Sequence, residues 1–340
     1  MSEAEISAPN RQGWRAVVGK VAVAVVRGSL LISPRPMAHL LRREFARSGA
    51  ERANRLRPAA PDQIHVVTDE RYEAHPDSLL DVYVPSDAPV SGRQLPVLVW
   101  VHGGAFIGGS KEELDYYFRA VAANGFCVVA LKYSLAPGAR YPQPVRQSMA
   151  ALSYVQAHAA RLHADSTRIM LAGDSAGSHI VAQLATAITN PDYAREVGVT
   201  AAIGAADLRA VALCCGIYDF VAAATDPSMM RLMQALGWAY SGRRDFLRDE
   251  YFVSTTAVAD HLTVGFPPTF MTVGNVDPLR TQTEGMFRAL QSAGVAVETL
   301  FYSADHEPPL SHEYQFDLSL DDALIAFERL IAFLNRHSHI

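Results

Sequence analysis

The sequence predicts an α/β protein in which a mostly parallel sheet is covered by helices on both faces. From Leu95 onward, short apolar runs rich in β-branched residues alternate with helical segments of about ten or more residues, a pattern typical of parallel sheets. The chain has 340 residues, of which 49% are hydrophobic and 19% charged, so a sizeable core is available. These numbers favour one large domain or two small ones.

The first sixty residues precede this alternation and are predicted to form a separate helical segment, residues 1–60. Lys20 and Arg27 interrupt an apolar stretch at residues 16–32, so no uncharged run approaches the roughly 20 residues that a membrane span needs. Because both charges fall on one helix face, we expect an amphipathic helix that packs on the protein rather than anchors it at a membrane surface. An arginine-rich helix is predicted to follow at residues 37–53.

A series of strands is predicted after residue 60, each an apolar run bounded by turn or helix signals. They cover residues 64–67, 79–84, 95–101, 128–133, 168–172, 208–217, 269–274 and 297–302. Helices are predicted at residues 145–157, 176–189 and about 281–293. A final helix is expected to be capped by Ser319 and to bury a face that includes Leu324 and Leu334.

A long connection separates the strand ending at Ile217 from the strand beginning at Thr269. Its length of roughly fifty residues exceeds that of a plain loop. It is also rich in methionine and aromatic residues. We therefore predict a helical insertion around residues 220–265, within a second domain that spans residues 61–340.

Charge and cysteine content exclude several classes of function. The 30 lysines and arginines against 35 aspartates and glutamates give a net charge of −5, which argues against a nucleic-acid partner. Cys127, Cys214 and Cys215 form no Cys-x-x-Cys pair, and the sequence has no H-E-x-x-H, so we expect no disulfide framework and no metal site. The acidic start of the chain lacks a secretory pattern, which favours a cytoplasmic location.

A G-x-S-x-G motif at residues 173–177 is the clearest candidate for chemistry. It lies between an apolar strand and an amphipathic helix, so Ser175 would project from a tight turn at the carboxyl end of a strand. The two glycines allow strand and helix to approach each other closely at such a turn. This context favours a nucleophilic serine over a purely structural turn.

A second glycine-rich motif, formed by His102, Gly103, Gly104 and Ala105, directly follows the predicted strand 95–101. A tetrahedral acyl intermediate needs backbone N–H groups directed at its oxyanion, and glycines permit that approach. Together the two motifs favour acyl transfer at a serine over a phosphate-binding loop, whose own glycine patterns are absent from the sequence.

A serine nucleophile needs a histidine as base and a carboxylate that orients this histidine. Asp277 follows a strand at the expected place in the chain and is preferred as the acid over Asp219, for which we expect a helix-capping role. His306 and His312 both lie between the last strand and the last helix, and both are candidates for the base. We favour His312, because two acidic neighbours flank His306 and would hold it as the imidazolium.

With these motifs the chain resembles the hormone-sensitive-lipase-like branch of carboxylesterases, which have the α/β-hydrolase fold. The matching motifs stand in the family's order: His102-Gly103-Gly104-Ala105, Tyr133-Ser134-Leu135-Ala136-Pro137, Gly173-Asp174-Ser175-Ala176-Gly177 and Asp277-Pro278-Leu279. The resemblance implies hydrolysis of carboxylic esters with short or medium acyl chains, without a cofactor. It also implies a helical cap, which residues 1–60 and the insertion would form.

The resemblance assigns Ser175 as the nucleophile, Asp277 as the acid, and the backbone N–H groups of four residues as the oxyanion hole. These four are Gly103, Gly104, Ala105 and Ala176. The sequence departs from the family pattern at three places, where Ala105 replaces a glycine, Ser134 replaces an arginine, and the segment 303–316 lacks His-Gly-Phe. The last departure leaves the choice between His306 and His312 open.

The leading hypothesis is a serine esterase in which His312 takes the Ser175 proton and water later hydrolyses the acyl-enzyme. An amidase, lactonase or peptidase is the alternative with the same chemistry. A non-catalytic protein that binds a small molecule in the same pocket is the alternative of another class. The expected partner is a small-molecule ester substrate. The protein partner that we include in the hypothesis is a second copy of the chain, in a homodimer.

Overall fold

The computed structural model describes residues 33–338 and is built around one sheet. Its strands are β1 (Ile64–Arg71), β2 (Leu79–Pro85), β3 (Leu95–Val101), β4 (Cys127–Lys132), β5 (Ala164–Asp174), β6 (Leu208–Cys214), β7 (Thr269–Val273) and β8 (Val297–Phe301). They lie in the order β1-β2-β4-β3-β5-β6-β7-β8. The pairings β1 with β2 and β2 with β4 are antiparallel, and the pairings from β4 to β8 across the sheet are parallel. The predicted fold class is therefore confirmed.

The central strands are continuous apolar runs because both faces of the sheet are covered. In β3, Val97, Val99 and Val101 belong to the core on one face of the sheet. Leu98 and Trp100 alternate with them and belong to the core on the other face. All five side chains are fully buried.

Helices pack on both faces of this sheet. They are α1 (Arg35–Leu56), α2 (Ala88–Ser91), α3 (Asp115–Ala123), α4 (Gln143–Ala157), α5 (Ala176–Thr189), α6 (Pro191–Val197), α7 (Phe220–Thr225), α8 (Met230–Ser241), α9 (Glu250–Thr256), α10 (Arg280–Ser292) and α11 (Asp321–His337). The helix α3 is not predicted from the sequence, because Tyr116, Tyr117 and Phe118 follow one another and obscure the helical period. All three are buried, and Tyr117 packs edge-on against Trp100 with ring centroids 5.6 Å apart.

The final helix α11 is present, but two details predicted for it are wrong. Leu324 is 42% exposed, whereas the small residues Ala323 and Ala326 are buried. The larger side chains suggested a different face, but alanines allow the helix to approach its neighbours more closely. Ser319 does not cap the helix, since its hydroxyl group bonds to Asp317 and α11 begins without a side-chain cap.

The helix α1 contains the predicted segment 37–53 and is tied to two loops of the sheet. Arg42 donates from Nε to the Ile107 carbonyl oxygen, 2.6 Å away, and from Nη2 to the Ala136 carbonyl oxygen, 2.9 Å away. The amphipathic helix predicted at residues 16–32 lies outside the described residues. No helix within residues 33–338 combines the length and apolar character that crossing a membrane requires.

The long connection between β6 and β7 contains α7, α8 and α9. Aromatic side chains join it to the loop after β3. Tyr240 of α8 stacks on Phe106 of that loop with ring centroids 4.0 Å apart, and Phe220 of α7 lies beside Phe106 at 5.6 Å. The insertion is therefore packed against the glycine-rich segment that begins at His102.

A buried ion pair follows the same loop and yields a stability prediction. The Lys111 ammonium lies 2.8 Å from an Asp81 oxygen, and both side chains are almost fully buried. The substitution Lys111→Met would leave the Asp81 carboxylate buried without its cation, so we expect a loss of about 3 to 5 kcal/mol in the free energy of unfolding. Urea denaturation at neutral pH measures this loss.

The exposed pair Arg93–Asp87, 3.2 Å apart, provides the control for Lys111→Met. The substitution Arg93→Met is expected to cost less than about 1 kcal/mol, because water screens both charges. Equal effects of the two substitutions would contradict the assignment of a special role to the buried pair.

Candidate active site

The serine of the G-x-S-x-G motif lies at a strained turn between β5 and α5. Ser175 has φ 51° and ψ −117°, a left-handed backbone conformation that L-residues rarely adopt. Both flanking glycines are needed for packing. A Cβ on Gly177 would overlap the Val101 carbonyl oxygen, and a Cβ on Gly173 would lie 2.6 Å from the Gly177 carbonyl carbon. The motif therefore encodes a close approach of β3, β5 and α5.

The carboxyl edge of the sheet brings Ser175, His312 and Asp277 together. His312 Nε2 lies 3.0 Å from Ser175 Oγ, and His312 Nδ1 lies 2.8 Å from Asp277 Oδ2. The second carboxylate oxygen of Asp277 accepts the Leu279 backbone N–H at 2.7 Å. The side chains of His312 and Asp277 are 3% and 0% exposed, so this chain of hydrogen bonds is shielded from water.

The Asp277 carboxylate stabilises the imidazolium form of His312. Burial by itself lowers the pKa of the imidazole, but the adjacent Asp277 carboxylate raises it, and the net pKa lies well above the ordinary value of 6.5. His312 thus has the geometry of a base toward Ser175 and a charge partner on its opposite side.

The other candidates from the sequence lie elsewhere. His306 Nε2 is 3.0 Å from an Asp322 oxygen on α11, so its partner is not one of its sequence neighbours. Asp219 accepts the Ala222 backbone N–H at 2.9 Å and caps α7, as expected for this residue. Neither residue joins the group formed by Ser175, His312 and Asp277.

The loop after β3 lies beside Ser175 and has an unusual backbone. Gly104, Ala105 and Phe106 have φ values of 105°, 53° and 63°, so Ala105 and Phe106 adopt a conformation that is costly for residues with a side chain. Within the described residues, the backbone N–H groups of Gly104, Ala105 and Ala176 have no protein acceptor. These three donors are available to a ligand at Ser175.

Gly103 was predicted as a fourth donor, and the structure corrects this prediction. Its N–H group donates to Asp174 Oδ2 at 2.8 Å and is therefore occupied. The Trp100 indole N–H donates to the other oxygen of the same carboxylate at 2.8 Å. A Cβ on Gly103 would overlap the Asp174 carboxylate, which explains the glycine. Asp174 thus fixes the start of the loop, although its place in the G-x-S-x-G motif gave no signal for this role.

Three carboxyl groups and one guanidinium form a cluster behind this loop, consisting of Asp174, Glu313, Glu113 and Arg52. Burial, together with the nearby Glu313 carboxylate, raises the pKa of Asp174 to about 7 and that of Glu113 to about 8. Arg52 of α1 lies 3.3 Å from a Glu313 oxygen. The sequence carried no signal for Arg52, Glu113 or Glu313, since they come from three distant segments.

An apolar cavity of about 30 Å³ opens at Ser175 and His312. The insertion between β6 and β7 supplies four of its lining side chains, Met229, Leu232, Met233 and Leu236. Phe106 and Leu279 come from the loops after β3 and β7. The insertion thus supplies more of the cavity's hydrophobic side chains than any other single segment.

One group of side chains in the described part of the chain has donor atoms close enough to share a metal ion, namely Cys215, Asp277 and His312. All three are buried. Both ring nitrogens of His312 are engaged with Asp277 and Ser175, and the Asp277 carboxylate accepts two hydrogen bonds. The group therefore has the bonding of a hydrogen-bonded relay between a carboxylate, an imidazole and a hydroxyl group.

Comparison with known proteins identifies relatives over most of the chain. A family model described as alpha/beta hydrolase fold matches residues 98–306, and a carboxylesterase family model matches residues 47–138. The carboxylesterase NlhH of Mycobacterium tuberculosis is 33% identical over 276 residues, which cover 79% of this chain and 81% of NlhH. An acetyl esterase of Salmonella choleraesuis is 27% identical over 297 residues, which cover 84% of this chain and 82% of that protein.

Solved structures share the fold at lower sequence identity. Esterase B from Lactobacillus rhamnosis superposes with a TM-score of 0.76 at 20% identity, covering 90% of this chain and 96% of that chain. A bacterial heroin esterase superposes with a TM-score of 0.70 at 22% identity, covering 95% of this chain and 98% of that chain. At these identities the likeness concerns the fold alone.

The carboxyl cluster predicts a pH-dependent effect of Glu113→Gln. Because the pKa of Glu113 is about 8 in the folded protein and 4.5 as the reference value, wild type loses stability as pH rises between these values. The neutral amide avoids this loss. Relative to wild type, we expect the free energy of unfolding of the variant to rise by about 2 kcal/mol between about pH 5 and about pH 8, after allowance for partial solvent exposure. Urea denaturation at both pH values measures the gain.

The neighbouring substitution Glu112→Gln is the control with the opposite sign. The pKa of Glu112 is lowered to about 2, since hydrogen bonding to Lys111 outweighs the effect of burial. Its contribution to stability is present above pH 4.5 and is lost as pH falls through about 2, so Glu112→Gln is expected to destabilise the protein at pH 8. Stabilisation by both substitutions at pH 8 would contradict the assignment.

Proposed function

This chain belongs to the carboxylesterases of the α/β-hydrolase fold family and is a carboxylic ester hydrolase, and from this premise we propose that Ser175, His312 and Asp277 are its catalytic triad. The observation that carries the proposal is the continuous hydrogen-bonded chain from Asp277 through His312 to Ser175, at 2.8 and 3.0 Å. The non-catalytic alternative is set aside, because the relatives are esterases and the three groups are in reach of one another.

The reaction begins at the serine hydroxyl. As Ser175 Oγ bonds to the ester carbonyl carbon, its proton passes to His312 Nε2, and the carbonyl oxygen becomes an oxyanion. The imidazolium then gives this proton to the alcohol oxygen, the bond between carbonyl carbon and alcohol oxygen breaks, and the acyl-enzyme remains. Water repeats the sequence, with its proton taken by His312 and returned to Ser175. Asp277 holds the ring and balances its charge.

The oxyanion is expected to be bound by the backbone N–H groups of Gly104, Ala105 and Ala176. These donors need no proton transfer and have fixed directions, so they stabilise charge at the moment when it develops. Gly104 and Ala105 both have positive φ, and their N–H groups form no hydrogen bond within the described part of the chain. Asp174 supports this arrangement by holding Gly103.

The substrates are proposed to be esters of short acyl chains. The cavity of about 30 Å³ has room for about two water molecules, and a short acyl group displaces a similar volume. Its apolar lining favours a hydrocarbon group without charge. The name of one relative, acetyl esterase, supports the same class.

Residues 1–60 and the insertion around 220–265 are proposed to act as a cap on the catalytic domain 61–340. The insertion lines the cavity through α8, and α1 contacts the loop after β3 through Arg42. The homodimer and the cytoplasmic location stay predictions from the sequence.

Alanine substitutions test the triad. Ser175→Ala and His312→Ala are each expected to lower kcat for p-nitrophenyl acetate by about a thousandfold or more, because each removes a group that bonds to the reacting atoms or moves the proton. His306→Ala is the matched control and should stay within about threefold of wild type, since His306 bonds to Asp322. Loss of activity in His306→Ala alone would reverse the assignment of the base.

Acyl-chain length tests the size of the cavity. We expect kcat/KM for p-nitrophenyl acetate and butyrate to exceed that for the decanoate by about tenfold or more. Met233→Ala should move the preference toward longer chains, because Met233 lines the cavity. Met286→Ala, in α10, removes an equally buried methionine outside the cavity and should leave the preference unchanged. A wild-type preference for the decanoate would contradict the proposal.

A further inference from the structure

The residue after the triad histidine has an unexpected backbone conformation. Glu313 has a φ of 60°, in the left-handed region where glycine is favoured and a long side chain is uncommon. The resemblance noted above would place a glycine after the histidine, and this chain has a glutamate. A residue that is unfavourable for the backbone is retained more readily when its side chain has a role.

The Glu313 side chain connects α1 to the imidazole of His312. One carboxylate oxygen lies 3.3 Å from Arg52 Nη1, and the other lies 3.9 Å from His312 Nε2. Both side chains of the Arg52–Glu313 pair are 21% exposed, so solvent screens the pair only in part. The guanidinium of Arg52 also lies over the ring of Phe316, 5.4 Å from its centroid, which limits its movement.

We propose that Glu313 is a positioning residue for His312, whose carboxylate, held by Arg52 of α1, supplies a second negative charge beside Nε2 and stabilises the imidazolium formed during acyl transfer. This inference rests on the proposed triad. Asp277 occupies the Nδ1 side of the ring, so the two carboxylates act on opposite sides. At 3.9 Å, Glu313 is too far from Nε2 for a hydrogen bond, and the proton therefore remains available to the leaving alcohol.

Several titratable groups around the His312 ring influence the ionisation of Glu313. The groups that face His312 or Glu313 are Asp277 after β7, Cys215 after β6, Asp174 at the end of β5, Glu113 before α3 and Arg52 on α1. Burial raises the pKa of Glu313, but Arg52 and His312 lower it, and its net pKa lies below the usual value. The pKa values of Asp174 and Glu113 are raised, so Glu313 is the first carboxyl group of the cluster to ionise as the pH rises.

A second ion pair from the same helix supplies a matched control. Arg55 of α1 lies 2.8 Å from Asp317, in the segment that follows His312. Asp317→Asn removes one negative charge and breaks one contact between α1 and this segment, as Glu313→Gln does. Asp317 bonds to Arg55 and Ser319, whereas Glu313 lies beside the imidazole, so the two substitutions separate an effect on His312 from an effect on helix packing.

The test is the pH dependence of kcat/KM for p-nitrophenyl acetate, from about pH 5 to about pH 9, with the full-length chain. Removal of the Glu313 charge is expected to lower the pKa of His312 and to move the acid limb of the profile down by about one pH unit. Glu313→Gln and Glu313→Gly should both show this shift, and Asp317→Asn should superpose on wild type. The glycine variant also relieves the left-handed backbone, so it is expected to fold.

Each result decides whether Glu313 acts on the His312 imidazole or only contributes to the packing of α1. An acid limb that stays at the wild-type pH in the folded Glu313 variants, judged by circular dichroism, overturns the proposal whatever happens to the plateau rate. An equal shift in Asp317→Asn also overturns it, because the effect would then come from general charge or packing. Ser175→Ala, measured beside them, distinguishes this failure from failure of the triad itself, which wild-type hydrolysis in that variant would indicate.

Discussion

The close approach of β3, β5 and α5 around Ser175 is the constraint on which the rest of the site depends. Gly177 touches the Val101 carbonyl and Gly173 touches Gly177, so no side chain fits at either position. This packing holds Ser175 in its left-handed conformation, which its N–H group secures by bonding to the Cys214 carbonyl oxygen at 2.9 Å. The surrounding sheet stabilises the strained backbone of Ser175, and the Ser175 hydroxyl is therefore fixed at the carboxyl edge of the sheet.

Two buried carboxyl groups lie near this turn, and each accepts hydrogen bonds from different partners. Asp277 accepts from His312 and from the Leu279 N–H group, while Asp174 accepts from Trp100 and Gly103. Four hydrogen bonds thus compensate two carboxyl groups that burial would otherwise destabilise. Burial and the nearby Glu313 carboxylate raise the pKa of Asp174 despite its two hydrogen bonds, which links the residue that holds Gly103 to the charge on Glu313.

Segments distant in sequence converge on the loop after β3. Arg42 of α1 binds the Ile107 carbonyl, and Tyr240 of α8 stacks on Phe106. The same insertion supplies the two methionine side chains of the cavity and two of its three leucine side chains. A change in the packing of either segment would therefore alter both the loop that offers the N–H donors and the space available to an acyl group, which couples substrate size to the geometry of the reaction.

The sequence by itself determined the alternation of strands and helices, the turn at Ser175 and the preference for Asp277 and His312, because these follow from local patterns and chain order. It did not determine α3, where adjacent aromatic residues hide the helical period, or the exposed position of Leu324. Tertiary structure alone decided that Gly103 bonds to Asp174, that His306 pairs with Asp322, and that Arg52 reaches Glu313. These contacts join residues far apart in the chain, and their distances depend on how the elements pack, which no local pattern records.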